Sequence, residues 1–337
     1  MKFKLYFISL LSLIISGVVL AQTKVGTTAA PFLTIAVGTR GVSQGGAFAA
    51  AANDASALYW NVGAISKIPT NEVYVSQASW IADTKFQYLG IIYHLDLIGT
   101  VGFSITNLDY GSMDITTVLF PEGTGEHFEA QDLAIGVSFG RNMTDRFSIG
   151  GTVKFISQTI WNESAKGYAI DVGTLYRTGL KGLKLGISIC NFGTTMRMSG
   201  KDLSFYHDID PTIYGNNNKI IADLRTDDWN LPLTFRVGAA MSVIETDQLR
   251  ATVAVDALHP NDNTESLNFG AEVKLFDLIS LRGGYKGLGL EYREEGITLG
   301  GGIEYALNDN FILGFDYAYQ DFGILNNVQN FSFVLGF

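Results

Sequence analysis

The amino-acid sequence predicts an all-β protein: an antiparallel transmembrane β-barrel of about 14 strands with an N-terminal helical plug in its lumen. Three observations carry this prediction. The chain begins with a secretory leader, most of its length alternates between apolar and polar residues, and its last strand ends on an aromatic residue, Phe337. Alternating segments separated by turns are the pattern of barrels that cross a membrane with strands.

The leader consists of two lysines, an apolar run over residues 5–20, and small residues that end at Ala21. This order is that of a secretory signal peptide. An uncleaved membrane anchor is the alternative, but an anchor needs about 20 apolar residues to span a bilayer. We therefore expect residues 1–21 to be a signal peptide that is cleaved near Ala21.

The composition is apolar without a second candidate membrane helix. The mean hydropathy is +0.19, and charged residues make up only 17% of the chain, beside 38 glycines. A barrel explains this balance, because its outer face contacts lipid while its backbone groups pair around a closed sheet. The net charge of −10 argues against nucleic-acid binding, which requires a basic surface.

Residues 71–337 alternate with period two between polar turns, and we assign them to the barrel. Single-chain bacterial barrels contain an even number of strands. The predicted strands are 71–80, 86–95, 99–108, 128–140, 146–160, 165–177, 182–191, 232–243, 248–258, 265–275, 278–287, 295–307, 310–320 and 328–337.

The connections fall into two classes. Short turns recur at every second connection, and the alternate connections include the long segments 109–127 and 192–231. Short periplasmic turns and longer external loops are typical of outer-membrane barrels. This parity predicts a C-terminus in the periplasm.

The last strand alternates Phe331, Phe333, Leu335 and Phe337 with other residues. It resembles the C-terminal signal by which outer-membrane barrels are handed to their insertion machinery. An ordinary amphipathic strand at the end of the chain is the alternative. Together with the leader, this strand predicts a multi-pass protein of the bacterial outer membrane, with membrane lipid and the insertion machinery as partners.

Charged residues of the predicted strands, among them Lys154, Arg236, Asp256 and Asp316, fall on the polar face. A charge on the lipid face near the middle of the bilayer costs about 2–4 kcal/mol, so these residues should face the lumen. Neither sign dominates, and we expect them to cross-link the interior rather than to select ions.

Residues 22–70 do not alternate and are rich in small residues. The Gly45-Gly46 pair permits close backbone approach, and the Asn53-Asp54 pair is placed to cap a short helix that starts at Ala55. We predict that this segment is a plug, or hatch, packed in the lumen. A periplasmic tail is the alternative, but several bulky aromatic residues would then be left in water.

Residues 38–66 resemble the N-terminal signature of the PorV/PorQ family, outer-membrane proteins related to FadL-type fatty-acid channels. The stretch Val62-Gly63-Ala64 departs from this signature, because the usual proline with its fixed φ is missing. The matching positions are Arg40, Gly45, Gly46, Ala47, Phe48, Asp54, Ala55, Ala57, Tyr59 and Asn61, and Asn53 and Trp60 lie within the same motif.

The resemblance implies a FadL-like fourteen-stranded barrel with an N-terminal hatch. It also implies service to the type IX secretion system, in which PorV binds exported proteins and PorQ acts in the surface-attachment complex. The partners would then be the secretion translocon or the C-terminal domains of exported proteins. External-loop residues Tyr206, Tyr214 and Trp229 are candidate contact residues, and a membrane-interface aromatic belt is the alternative for them.

A second hypothesis is a FadL-like channel for the uptake of hydrophobic small molecules, with Phe48, Leu58, Tyr59 and Trp60 lining a pocket beside the hatch. A third is a purely structural barrel. An apolar cavity beside the plug would favour the channel, and a closed lumen with a broad protruding loop surface would favour the secretion accessory.

The sequence contains no motif of enzyme chemistry. Its four histidines are scattered without zinc-ligand spacing, and no phosphate-binding loop is present. The acidic residues of segment 192–231 lack the spacing of an EF-hand. We expect a protein without enzymatic activity, cofactor or metal.

Overall fold

The structure is a computed structural model that describes residues 25–180, 182–210, 212–215, 217, 219–290, 294–308 and 311–337. The predicted signal peptide, residues 1–21, lies outside the described residues.

Fourteen long strands form the wall of a closed antiparallel barrel, and the first pairs with the last, Glu72 opposite Gly336. Three further short strands, β8 to β10, belong to the loop that follows β7. In chain order the strands are β1 (Glu72–Ser79), β2 (Lys85–His94), β3 (Thr100–Asp114), β4 (His127–Asn142), β5 (Phe147–Ile160), β6 (Glu163–Arg177), β7 (Lys184–Gly193), β8 (Ser199–Gly200), β9 (Ser204–His207), β10 (Ile220–Asp223), β11 (Thr234–Glu245), β12 (Leu249–Pro260), β13 (Ser266–Leu275), β14 (Ile279–Leu288), β15 (Ile297–Asn308), β16 (Phe311–Asp321) and β17 (Asn327–Gly336). The predicted barrel of about 14 strands is confirmed.

Each predicted strand overlaps one strand of the wall, and the ends differ by a few residues. The largest difference is in β3, which continues to Asp114 instead of ending at residue 108. A register shift between Asp109 and Ser112 lets the strand continue, with Gly111 at a φ of +75°. Glycine adopts this left-handed conformation at no steric cost, and the break in alternation hid the extension from the sequence pattern.

The two faces of the wall differ as predicted. In β1, Tyr74 is fully buried whereas its neighbour Val75 is 45% exposed. Charged side chains of the strands, including Arg236, Asp256 and Asp316, are buried on the inner face. The outer face carries the large exposed apolar side chains that suit contact with lipid.

The outward position of Val153 near the middle of β5 yields a direct test of this sidedness. Val153 is 60% exposed, and Val153→Arg is expected to lower the free energy of unfolding in lipid vesicles by about 2–4 kcal/mol. The matched control is Val118→Arg, because Val118 is fully exposed in the connection between β3 and β4 and should tolerate the charge. Equal denaturant midpoints for the two variants would contradict the assignment of the outer face to lipid.

The barrel has two unlike ends. Short turns join β4 to β5 and β11 to β12 at one end, which also holds the start of β1 and the end of β17. We call it the turn end. The opposite end, the loop end, carries the long connections between β3 and β4 and between β7 and β11. This separation matches the predicted parity of short turns and long loops.

Residues 25–70, which we call the inner segment, cross the interior of the barrel. At the loop end the Ala29 amide donates to the carbonyl of Asn230 (2.8 Å), and at the turn end the Lys67 ammonium donates to the carbonyl of Asp145 (2.9 Å). Between these points most residues are buried. The assignment of residues 22–70 to a plug domain with a hatch function stays a prediction.

The inner segment contains two single-turn α-helices, Thr39–Ser43 and Ala57–Trp60, and two 3₁₀-helices, Pro31–Thr34 and Val62–Lys67. Among the described residues, no helix is long and apolar enough to span a membrane.

The predicted start of the second helix at Ala55 is wrong, because the helix begins at Ala57. The Asp54 side chain accepts a hydrogen bond from the Ser56 amide (2.9 Å) and so forms a turn before the helix. Asn53 is exposed and makes no helix cap.

Glycines let the inner segment approach the wall on two sides. A Cβ on Gly63 would lie 2.6 Å from the carbonyl oxygen of Gly173, and a Cβ on Gly45 would lie 2.7 Å from the carbonyl oxygen of Phe269. Gly45 also adopts a φ of +66°. Backbone contact of this kind excludes larger residues, and it fixes the height of the inner segment within the barrel.

Candidate functional site

The inner segment is held to the wall first by Arg40, which is only 7% exposed. Its guanidinium lies 2.7 Å from a carboxylate oxygen of Glu304 on β15 and 3.4 Å from one of Asp316 on β16. Asp54, from the inner segment itself, lies 3.5 Å away. Three carboxylates thus converge on one buried cation, which compensates for part of the cost of burying each charge.

The same network extends along the wall. Arg282 contacts Asp316 at 2.6 Å and Glu272 at 2.5 Å, and Lys274 contacts Glu304 at 2.9 Å. This mixture of signs supports the expectation that the lumenal charges cross-link the interior. This network of charged side chains occupies the side of the lumen formed by β13 to β16.

The Gly45-Gly46 turn and Phe48, which belong to the inner segment, lie against the neighbouring part of the wall. The Gly45 amide donates to the Thr298 hydroxyl (2.9 Å). The amides of Phe48 and Ala49 both donate to one carboxylate oxygen of Asp256 on β12 (3.0 and 2.8 Å). The Asp256 carboxylate thus gives two buried backbone donors of the inner segment a charged acceptor.

Asn61 joins three parts of the structure and is fully buried. Its amide nitrogen donates to the carbonyls of Ala49 (2.7 Å) and Thr174 on β6 (3.0 Å). Its side-chain oxygen accepts from the Gly63 amide (3.1 Å). Asn61 therefore closes the turn at Gly63 and joins it to β6 through side-chain hydrogen bonds.

An aromatic cluster that includes one cation lies next to Asn61. The Trp60 ring contacts Phe48 and Tyr59 edge-on, with centroids 5.9 and 5.1 Å apart, and its indole N–H donates to the carbonyl of Val37. The Arg236 guanidinium lies 5.0 Å from the Trp60 ring centroid and 5.7 Å from that of Tyr59. Its Nε has no hydrogen-bond partner although the side chain is buried.

A cavity of 540 Å³ opens between the inner segment and the wall near the loop end. We call it the outer cavity. Apolar side chains of the inner segment and the wall line it, among them Pro31, Leu33, Tyr59 and Leu258. Its polar lining includes Lys154, Arg236, Lys286, Asp262 and Glu295. The cavity is thus amphipathic, with an apolar wall and several charged groups.

A much smaller inner cavity of 20 Å³ lies beyond it, against β3 to β6. It is lined by Leu33, Leu58, Tyr59, Ser104, Thr106, Ala134, Gly136, Lys154 and Asp171. A separate open cleft of 420 Å³ at the loop end is lined by Ile115, Phe128, Ile160, Trp161 and Met198 with acidic neighbours.

Of the four residues predicted to line a pocket for hydrophobic molecules, Tyr59 lines the outer cavity and Leu58 lines only the small inner cavity. Phe48 and Trp60 line none of these three cavities and instead pack in the buried core at 1% and 2% exposure. Sequence reasoning missed Arg236 and Lys154 as cavity residues and treated them only as lumenal charges. Their alternation showed the face on which they lie but not the empty space beside them.

The three external-loop candidates occupy different structures. Tyr206 lies in β9 opposite Ile221 of β10, and both are 70% exposed. Trp229 pairs with Met196 through two backbone hydrogen bonds. Tyr214 is fully exposed in the connection between β9 and β10. In the same loop, hydrogen bonds from Thr212 lower the pKa of Asp210.

The C-terminal residues lie where the alternation predicts them. Phe331, Phe333 and Phe337 are 41–47% exposed on the outer face, and the Phe337 amide donates to the carbonyl of Asn71 (2.9 Å). Their role as an insertion signal stays a prediction. Within the described ranges, no group of three or more ligating side chains is arranged to hold a metal ion.

No protein-family model matches this sequence, and no curated protein matches it. Solved structures do match. The toluene transporter TodX of Pseudomonas putida superposes with a TM-score of 0.53 at 12% identity, over 89% of this chain and 97% of that one. The fold is FadL-like. A FadL homologue of Pseudomonas aeruginosa gives 0.52 at 13% identity, over 94% of this chain and 99% of that one.

The monoaromatic hydrocarbon channel CymD gives a TM-score of 0.54 at 12% identity, over 89% of this chain and 98% of that one. Such low identities show a common fold and do not transfer a substrate. TodX is named as a transporter and CymD as a channel rather than as enzymes.

Proposed function

We propose that the protein is a FadL-like channel of the bacterial outer membrane that takes up hydrophobic small molecules. The outer cavity carries this proposal, because 540 Å³ lies within the range of about 300–1,000 Å³ that small-molecule pockets occupy. The shared fold with toluene transporters and a monoaromatic hydrocarbon channel supports it. Of the three hypotheses from the sequence, the one that requires a cavity beside the inner segment is favoured.

The chemistry of the lining suits an apolar molecule that bears a single polar or anionic group. Lys154 and Lys286 are already paired, with Asp171 (2.9 Å) and Glu295 (2.5 Å). The Nε of Arg236 is a buried donor without a hydrogen-bond partner. The hydrocarbon part would lie against Leu33 and Leu258, which removes apolar surface from water.

Filling the outer cavity tests the proposal. Leu258→Trp is expected to weaken the binding of radiolabelled toluene or palmitate to the purified protein at least tenfold, because the larger ring occupies the space of the ligand. Leu299→Trp is the matched control, since Leu299 is 54% exposed on the outer face of β15. Equal affinities in the two variants, or no binding by the unmodified protein, would rule out the channel hypothesis at this cavity.

A second candidate function is the PorV/PorQ-like accessory of type IX secretion. The motif residues Arg40, Asp54 and Asn61 support it, because they hold the inner segment in place. The exposed aromatic and aliphatic side chains of the β9–β10 hairpin also support it, because they offer a surface to another protein. The partners would be a secretion translocon or the C-terminal domains of exported proteins.

Affinity purification from the native envelope in mild detergent distinguishes the two candidates. A secretion accessory is expected to bring down a large outer-membrane channel or exported proteins with a common C-terminal domain. Replacing residues 204–223 by a short Gly-Ser linker should abolish that recovery and leave toluene binding unchanged. Recovery of the protein with bound lipid or hydrocarbon alone would reject the accessory function.

A further inference from the structure

The outer and inner cavities are separated by very little protein. The residues that line both are Leu33, Tyr59 and Lys154. The outer cavity holds 540 Å³ and the inner one 20 Å³. A space of the latter size accommodates at most about one water molecule. A ligand in the outer cavity can therefore go deeper only if a shared residue moves.

Lys154 is held in place by two polar contacts. It belongs to β5, and its ammonium is held by Asp171 at 2.9 Å and by Asn191. Leu33 and Tyr59 belong instead to the inner segment, which is not part of the wall. Movement of either side chain breaks no pairing between strands.

Tyr59 has the geometry of a movable partition. Its backbone is fixed in the Ala57–Trp60 helix, where its amide donates to the carbonyl of Ser56 (2.9 Å). Its side chain is only half-buried, and it contacts the Trp60 ring edge-on and the Arg236 guanidinium across its face. A single contact of a cation with an aromatic face is weak enough to be exchanged for contacts with a ligand.

We propose that Tyr59, together with Leu33, is the gate between the outer and inner cavities, and that rotation of the Tyr59 ring joins them. Arg236 acts as a positioning residue, because it holds the ring in the closed position. An apolar molecule with an anionic or polar group contacts Arg236 in place of the ring and so favours opening. This inference rests on the proposed channel function for its ligand, but the gate itself is testable without one.

The test uses a thiol placed in the inner cavity. Ala134 lines that cavity and is 4% exposed. In a Cys190→Ser background, which removes the native thiol, Ala134→Cys is labelled with N-ethylmaleimide in detergent. Adding Tyr59→Ala is expected to raise the labelling rate at least tenfold, whereas Tyr59→Phe keeps the ring and should leave the rate unchanged.

Two controls keep the outcome decisive. Ser266→Cys reports the outer cavity, and its labelling rate should be the same with and without Tyr59→Ala. Leu33→Ala is a second gate variant and should also accelerate labelling at position 134, so the proposal does not depend on one substitution. Protection of residues 25–70 from proteinase K shows that the inner segment remains in place.

Equal labelling at position 134 in Tyr59→Ala, Leu33→Ala and the unmodified gate would overturn the proposal. So would acceleration by Tyr59→Phe as large as that by Tyr59→Ala, because the ring would then not be the barrier. Failure of the channel function looks different: labelling would follow the gate variants, but neither toluene nor palmitate would bind.

Discussion

Arg40→Ala is expected to release the inner segment from the barrel without unfolding the wall. The substitution removes the shared cation from the buried Asp54 and Asp316 and from the partly exposed Glu304. Glu304 keeps its contact with Lys274 and Asp316 keeps its contact with Arg282, so the largest loss falls on Asp54. Breaking a buried ion pair by removing one partner costs about 3–5 kcal/mol. The fourteen strands keep their pairing, because Arg40 contributes nothing to the ladder, so the loss falls on the docking of the inner segment.

Proteinase K digestion followed by mass spectrometry measures this release. Residues 25–70 should be cleaved at least tenfold faster in Arg40→Ala than in the unmodified protein, while the barrel still shows its heat-dependent shift in electrophoretic mobility. Arg225→Ala is the control, since the Arg225 side chain is 77% exposed and its ion pair contributes little. Unchanged cleavage in Arg40→Ala would show that the ionic contacts do not hold the inner segment.

Asn61→Asp is expected to have an effect of similar size although it changes one atom. The new carboxylate would face the carbonyls of Ala49 and Thr174, which now accept hydrogen bonds from the Asn61 amide. Both carbonyls would lose the donor that Asn61 supplies, and the buried charge would keep one donor, the Gly63 amide, at a cost of about 3–5 kcal/mol. The same protease assay reports it, as faster cleavage of the inner segment.

The chain offers a matched control for this variant. Asn53 lies in the same segment but is exposed, so Asn53→Asp should leave the cleavage rate unchanged. Lowering the pH should partly rescue Asn61→Asp, because a protonated carboxyl can again donate one hydrogen bond. Stability lost above the pKa of the introduced carboxyl should thus return below it. A variant as stable as the unmodified protein at neutral pH would refute the role of Asn61.

The wall was predictable because strand alternation is a local signal. The wall strands alternate with period two over most of their length, and a charge on the wrong face is costly, so faces and strand number follow from the sequence. The extension of β3 to Asp114 did not follow, since the register shift after Asp109 interrupts the alternation. The helix start at Ala57 was missed because Asp54 bonds to the turn rather than to the helix.

The contacts of the inner segment were not predictable in the same way. Arg40 and Asp316 are 276 positions apart, and Asp256 serves the amides of Phe48 and Ala49 from more than 200 positions away. The sequence places each charge on the inner face without saying which partner it meets. The outer cavity is even harder to predict from the sequence, because it is the space left after all side chains have packed. No periodicity in the sequence describes such a space.

The path of residues 25–70 has a consequence for how the molecule is assembled. This stretch first contacts the barrel at the loop end, near Asn230, and joins β1 at the turn end. The chain therefore crosses the length of the barrel once without a strand, in addition to the fourteen crossings made by the strands of the wall. The seam between β1 and β17 unites the two ends of the sheet. Closure of that seam would enclose the inner segment, which contains no strand and is covalently joined to the wall through residue 71. An inner segment attached in this way can be withdrawn toward the turn end without breaking any strand pairing. Its withdrawal through the loop end would instead pull on β1.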